Sequence, residues 1–222
     1  MVHFIKNLNI VTRLVSKEVG RFEQPVLERY KNPYKVLISC LLSLRTKDAV
    51  TAKAARNLFK MADNPYSMVE LARKQVEQAV YPVGFYKTKT KRILDISRIL
   101  IERYGGKVPD SERELLGLKG VGRKTCNIVL LHAYGRYTLP IDTHCHRIPN
   151  RLGWIDTKTP EESEVALKKI LPKKYWKDFN RIFVTFGQNI CLPVRPRCES
   201  CSVFKYCDFG PKFLRSLKLK SK

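Results

Sequence analysis

Four cysteines packed into seventeen residues constrain this chain more than any other feature. Cys191, Cys198, Cys201 and Cys207 follow the spacing C-x6-C-x2-C-x5-C. The stretch from Cys191 to Gly210 also carries Pro193 and Pro196 and little apolar sequence. It cannot build a core of its own and needs a staple. Three unequal short loops wound around one point suit a cubane with four iron corners. Zinc modules more often pair two short knuckles across a longer segment, so structural zinc is the alternative. Arg195, Arg197 and Lys205 lie inside the loop and keep its outer surface cationic. Cys40, Cys126 and Cys145 sit in apolar stretches or beside a motif and read as small buried hydrophobes.

Outside the cysteine loop the dominant period is helical. Amphipathic helices are expected over 48–60, 67–80, 87–104 and 123–134, with a last long one over 175–190. Ser111 with Glu114 is a capping-box pair, and Thr159-Pro160 with Glu162 marks another start. Gly105 and Gly135 are the stops. Residues 136–141 read as extended, without a strand partner. Pro149, inside an expected helix, implies a kink or an early break. The fold class is all-α.

Charge narrows the partners. Lys plus Arg is 43 against 20 Asp plus Glu, a net +23 in 222 residues. Such an excess repels itself unless a polyanion offsets it, and nucleic acid is the leading candidate over an anionic membrane surface. No apolar run approaches the roughly 18 residues of a membrane-spanning helix. The first twenty residues scatter charge among apolar positions and do not read as a signal peptide, so a secreted disulfide scaffold is not expected.

Two further motifs carry chemistry. In LKGVGRKT, Leu118 to Thr125, Gly120 and Gly122 punctuate a tight turn between helices. Glycines there allow positive φ and let backbone amides approach a surface closely. The N–H groups of the following helix then form an anion site suited to a DNA phosphate. Lys119, Gly120, Val121, Gly122 and Arg123 make up this contact. Lys124 follows in the first turn, where an ammonium is electrostatically unfavourable. That placement favours the neutral amine a nucleophile needs, although a surface lysine is more often a solvated charge. In LPIDTHCHR, Asp142 stands between an extended and a helical segment, the place of an ordinary N-cap. His144 and His146 at i,i+2 point to different helix faces and do not read as a metal pair; they are phosphate contacts or structure.

The cysteine loop, the G-x-G hairpin and the I-D-T-H context together resemble the endonuclease III family of DNA glycosylases, over roughly residues 25–210. The resemblance implies a C-terminal [4Fe–4S] cluster on the four cysteines and a helix–hairpin–helix element at 118–125. It implies that Lys124 attacks the sugar C1′ and that Asp142 is the active-site carboxylate, facing the positive charge that develops there. LLSLRTKD, Leu41 to Asp48, and PVGFYKTKTKRI, Pro82 to Ile93, resemble the two loops that fill the gap left by a flipped nucleotide. Arg45 stands where many members have Gln, Phe85 stands at the position of the usual aliphatic wedge, and His144 joins the DNA contacts.

The resemblance further implies two helical domains with a cleft between them. Residues 27–136 are expected to form a six-helix barrel with the hairpin. Residues 1–26 would join 137–210 as the cluster domain, with the loop at 191–207 and a basic tail at 211–222. The implied function is a bifunctional DNA glycosylase/AP lyase of base-excision repair. It would remove oxidised pyrimidines and nick 3′ to the abasic site by β-elimination. The partner is double-stranded DNA carrying a damaged base or abasic site, with no membrane; a monomer in the cytoplasm, on the nucleoid if prokaryotic, is expected. A monofunctional thymine or uracil mismatch glycosylase is the nearest rival, and a non-catalytic iron–sulfur DNA-binding module the second. An electron carrier of the ferredoxin kind fits neither the charge nor the hairpin.

Overall fold

Every regular element among the described residues is a helix, as the apolar period requires. The computed structural model describes residues 7–23 and 30–220. The expected boundary near residue 26 and the last two residues of the basic tail lie outside these. The α-helices are α1 Leu8–Val19, α2 Pro33–Ser43, α3 Asp48–Met61, α4 Pro65–Val69, α5 Arg73–Val80 and α6 Tyr86–Tyr104. Then follow α7 Glu112–Gly117, α8 Arg123–Tyr134, α9 Thr143–Leu152, α10 Pro160–Ile170, α11 Trp176–Asn189 and α12 Phe209–Lys220. Short 3-10 turns cover Lys173–Tyr175, Cys198–Ser200 and Phe204–Tyr206.

Local chemistry accounts for most of the starts. Asn32 and Asn64 accept backbone N–H groups from the first turns of α2 and α4, and each is followed by proline. Ser111 accepts from Glu114 N–H at 3.3 Å and donates its hydroxyl to the Glu114 carboxylate at 2.6 Å. Thr159, with Pro160 behind it, accepts from Glu162 N–H at 3.2 Å. Each such cap contributes about 1 kcal/mol, enough to set where a helix begins but not to hold it.

The holding is done by two cores. The chain divides into two compact units, Val26–Thr138 and Met1–Pro25 with Leu139–Lys222. In the first, α2 is buried on every face from Val36 to Leu42 and packs against α3, α6 and α8. A helix apolar all round can only be a central one. In the second, Val11, Val15 and Val19 of α1 meet α11, where Phe179 and Phe183 stack with centroids 4.3 Å apart.

Two expectations about elements are corrected. The stretch 67–80 is two helices rather than one. Asn64-Pro65 starts α4 early, and Ala72, extended at ψ 143°, restarts the chain with its N–H donated to the Gln75 side chain at 2.8 Å. Pro149 does not break α9, which runs to Leu152. Asn150 supports that turn by donating to the His146 carbonyl at 2.8 Å while accepting Thr157 N–H at 2.9 Å. The basic tail is helical from Phe209, whose ring stacks on Phe213 one turn later and lies 4.3 Å beneath the Arg151 guanidinium.

Candidate functional site

The hairpin is built by a turn that only its first glycine can make. Val121 N–H donates to the Leu118 carbonyl at 2.9 Å, and Gly120 sits at φ +93°. A Cβ on Gly120 would fall 2.3 Å from the Arg92 side chain of α6, so the guanidinium lies against the bare backbone. Val121 is buried and pegs the turn to the core, while Lys119, Gly122 and Arg123 are exposed. Gly122 departs from expectation: at φ −93°, ψ 177° it is extended, a conformation open to any residue, and a Cβ there meets nothing within 4 Å. Its value lies in leaving space over the α8 N-terminus. Arg123 pairs with Glu112 at 3.5 Å, both half exposed, a bridge worth under about 1 kcal/mol that a phosphate could displace.

Lys124 occupies the first turn of α8, half-buried. Its charge reaches the wholly buried thiol of Cys40 on α2; burial pushes that thiol up to about 12 and the lysine pulls the other way. Asp142 is placed from the second core. Leu139 and Ile141 are buried pegs, Asn180 of α11 donates to the Pro140 carbonyl at 3.0 Å, and Asp142 then caps α9. Its Oδ1 accepts the N–H groups of His144 and Cys145, each at 2.9 Å. His144 lies against Gly187, where a Cβ would fall 2.3 Å from Nδ1, and Nδ1 accepts from Arg147 Nη2 at 3.1 Å. His146 contacts Ser163 Oγ at 2.6 Å. His144 thus braces the cap that holds Asp142, and His146 ties α9 to α10.

Arg45 and Phe85 are two of the three non-glycine residues at positive φ among the described residues, +52° and +57°. Such backbone costs on the order of 1–3 kcal/mol each and persists only where surroundings over-determine it. Both side chains are exposed, Phe85 by 65%, and the Arg45 guanidinium stands 6.0 Å from the Phe85 ring. Lys89, not expected as functional, lies beneath them at only 5% exposure. Its Nζ donates to the carbonyls of Leu42 at 2.8 Å and Leu44 at 2.5 Å and to Thr46 Oγ1 at 3.0 Å. Burial lowers it to about 8, still above neutrality. A signal was available, because Lys89 falls in register with Ile93, Ile96 and Leu100 on the apolar stripe of α6.

The four cysteines of the loop line one apolar cavity with Ile148, Leu152, Phe186 and Ile190. Among the described residues no three His, Cys, Asp or Glu side chains converge as they would on a single metal ion. Burial pushes the Cys201 thiol up to about 12 and raises Cys198 and Cys207, with Cys191 adding repulsion to each. Donors already surround the sulfurs. Gly210 N–H points at Cys207 Sγ at 3.4 Å, and Arg151 Nη1 at Cys191 Sγ at 3.3 Å. Arg151 also bonds the carbonyls of Leu192 and Pro193, and Arg147 that of Cys191, at 2.7–2.8 Å. These two arginines, one turn apart on α9, were not singled out from sequence; their i,i+4 spacing after the Asp142 cap was the available signal.

Comparison with known proteins shows the family and the fold. Residues 38–173 match the HhH-GPD superfamily of base excision DNA repair proteins. The chain is 46% identical over 200 residues to Endonuclease III of Thermotoga maritima, covering 90% of this chain and 93% of that one. It is 34% identical over 208 residues to Endonuclease III of Escherichia coli, covering 93% and 97%. The solved structure of a trapped Endonuclease III–DNA covalent intermediate superposes with a TM-score of 0.85 at 30% identity, covering 94% of this chain and 98% of that one.

Proposed function

Since the chain belongs to the endonuclease III family of the HhH-GPD superfamily, a family of bifunctional DNA glycosylase/AP lyases acting on oxidised pyrimidines in base excision repair, we propose which residues carry that activity here. Lys124 is the nucleophile. The observation that carries this is its place in the first turn of α8, directly behind the Gly120–Gly122 turn. A phosphate held on the α8 amides, with Lys119 and Arg123 flanking it, brings the neighbouring sugar to that lysine. The amine attacks C1′, forming the C1′–N bond as the glycosidic bond breaks and the base leaves with a proton; the amine then loses a proton, O4′ gains one, and the C1′–O4′ bond breaks to open the sugar ring. The resulting iminium acidifies the C2′ hydrogen; loss of that proton breaks the C3′–O bond and nicks the strand on the 3′ side. Asp142, held by its cap, supplies negative charge to the positive sugar and moves protons to and from Lys124. Arg45 and Phe85 enter the stack in place of the extruded nucleotide. His144, half-buried on the first turn of α9 beside Asp142, contacts the DNA backbone.

The loop cysteines fit a [4Fe–4S] cluster. Four sulfurs line one cavity, and amide and guanidinium donors already face two of them, as donors around metal-bound thiolates do. Bound there, the cluster cross-links residues 191–207. We take the working form as a cytoplasmic monomer on duplex DNA; no helix among the described residues is long and apolar enough to cross a membrane.

The test uses a duplex with one oxidised pyrimidine, assayed with and without alkali under single turnover. Asp142→Asn keeps most of the cap, since Asn and Asp cap about equally, but removes the charge. Thermal stability and duplex affinity should hold while both base release and nicking fall by about 10²-fold or more. Wild-type rates in Asp142→Asn would remove the carboxylate from the chemistry.

A further inference from the structure

We propose that Lys89 is a positioning residue for base extrusion, tying the turn that presents Arg45 to the turn that presents Phe85. The proposal rests on the reading of those two side chains as the residues that enter the duplex. Its geometry is a three-oxygen cage. The ammonium has three protons, and they meet the Leu42 and Leu44 carbonyls at the end of α2 and the hydroxyl of Thr46. Thr46 Oγ1 in turn accepts the N–H of Gly84 at 3.2 Å, so the link runs from Lys89 through Thr46 to the residue before Phe85. The two turns also touch directly: a Cβ on Gly84 would lie 2.9 Å from the Arg45 carbonyl oxygen.

A core position on α6 needs no cation. An aliphatic residue in register with Ile93 and Ile96 would bury well, whereas an ammonium there is desolvated by burial. What the ammonium adds is orientation. Leu44 and Arg45 leave α2 through a left-handed residue, and Phe85 enters α6 through another. Neither turn is favourable for a side chain on its own, and the cage supplies the partners that over-determine both. Both tips then keep a fixed spacing, as a wedge must when it displaces a stacked base at the cost of unstacking.

A structural helix cap and a positioning device differ in which step they affect. Extruding an intact damaged base needs the wedge; a duplex with a preformed abasic site has no base to displace. In the full-length protein, Lys89→Met should slow base excision by about 10- to 100-fold, the range expected of an ångström-scale misplacement. Nicking of the abasic duplex should change only a few-fold. Lys89→Arg should not rescue excision, because a planar fork cannot converge on three oxygens. Thr46→Val cuts only the Gly84 link and should show the same selectivity more weakly; it carries the test if Lys89→Met does not accumulate. Arg45→Ala and Phe85→Ala are run alongside. If they lose excision selectively while Lys89→Met and Thr46→Val excise at the wild-type rate, the role of Lys89 is overturned and the wedge stands. Equal loss of excision and nicking in Lys89→Met, with a lowered Tm, also overturns it in favour of a structural cap. If Arg45→Ala and Phe85→Ala both excise normally, the wedge reading fails and takes Lys89 with it.

Discussion

At the scale of single residues, the two hairpin glycines separate structure from binding. Gly120 is held at φ +93° with Arg92 where a side chain would go, so Gly120→Val meets backbone strain of roughly 1–3 kcal/mol and a collision besides. Gly122 is extended with open space around it, and Gly122→Val should cost at most about 1 kcal/mol as a poorer N-cap. The expected outcome is a clear fall in Tm for Gly120→Val. For Gly122→Val it is a nearly unchanged Tm with weakened binding to every duplex, read by thermal melts and titration at fixed salt. Unaltered affinity in Gly122→Val would leave the hairpin as an ordinary turn. Both glycines were visible in the sequence, but φ was not: the dipeptide spacing does not say which of two glycines is left-handed and which is merely small.

At the scale of elements, α9 connects the cap to the cysteine loop. Arg151 bonds two loop carbonyls, approaches Cys191 Sγ and covers the Phe209 ring of α12. Losing such charge-assisted bonds costs about 2 kcal/mol. Arg151→Met should therefore lower Tm and, with the proposed cluster bound, release iron faster in air, followed as decay of the visible absorbance. Arg151→Lys should not restore either, since an ammonium cannot span the same acceptors. Wild-type iron retention in Arg151→Met would free the loop from α9. Where helices begin was largely legible, because Ser111, Thr159 and Asp142 act through neighbours one turn away. The break at Ala72 depends on one Gln75 contact, and the helix from Phe209 depends on Arg151, distant in sequence. Lys89 stood out by its register, but its acceptors were hidden for the same reason, lying more than forty positions back at Leu42 and Leu44.

At the scale of the whole molecule, the +23 charge sets how the protein meets DNA at all. Each phosphate neutralised adds about −0.9 to the slope of log K against log salt, so binding to undamaged duplex should be steeply salt-dependent. Lys119→Ala or Arg123→Ala should each reduce that slope by about one without changing sequence preference, measured by titration from low to physiological salt. An unchanged slope in both would place the phosphate contacts elsewhere on the basic surface. The charge, the hairpin and the cysteine spacing were each readable alone, and their coincidence in one chain made the class of partner and reaction legible.

In the proposed reaction Lys124 becomes covalently bonded to the sugar. Borohydride added during turnover on a duplex with an oxidised pyrimidine reduces the iminium to a stable amine. Proteolysis and mass mapping then locate the bond. One adduct is expected, on the peptide containing Lys124, and neither adduct nor strand break in Lys124→Gln. An adduct on any other amine, or an undiminished adduct in Lys124→Gln, would contradict it.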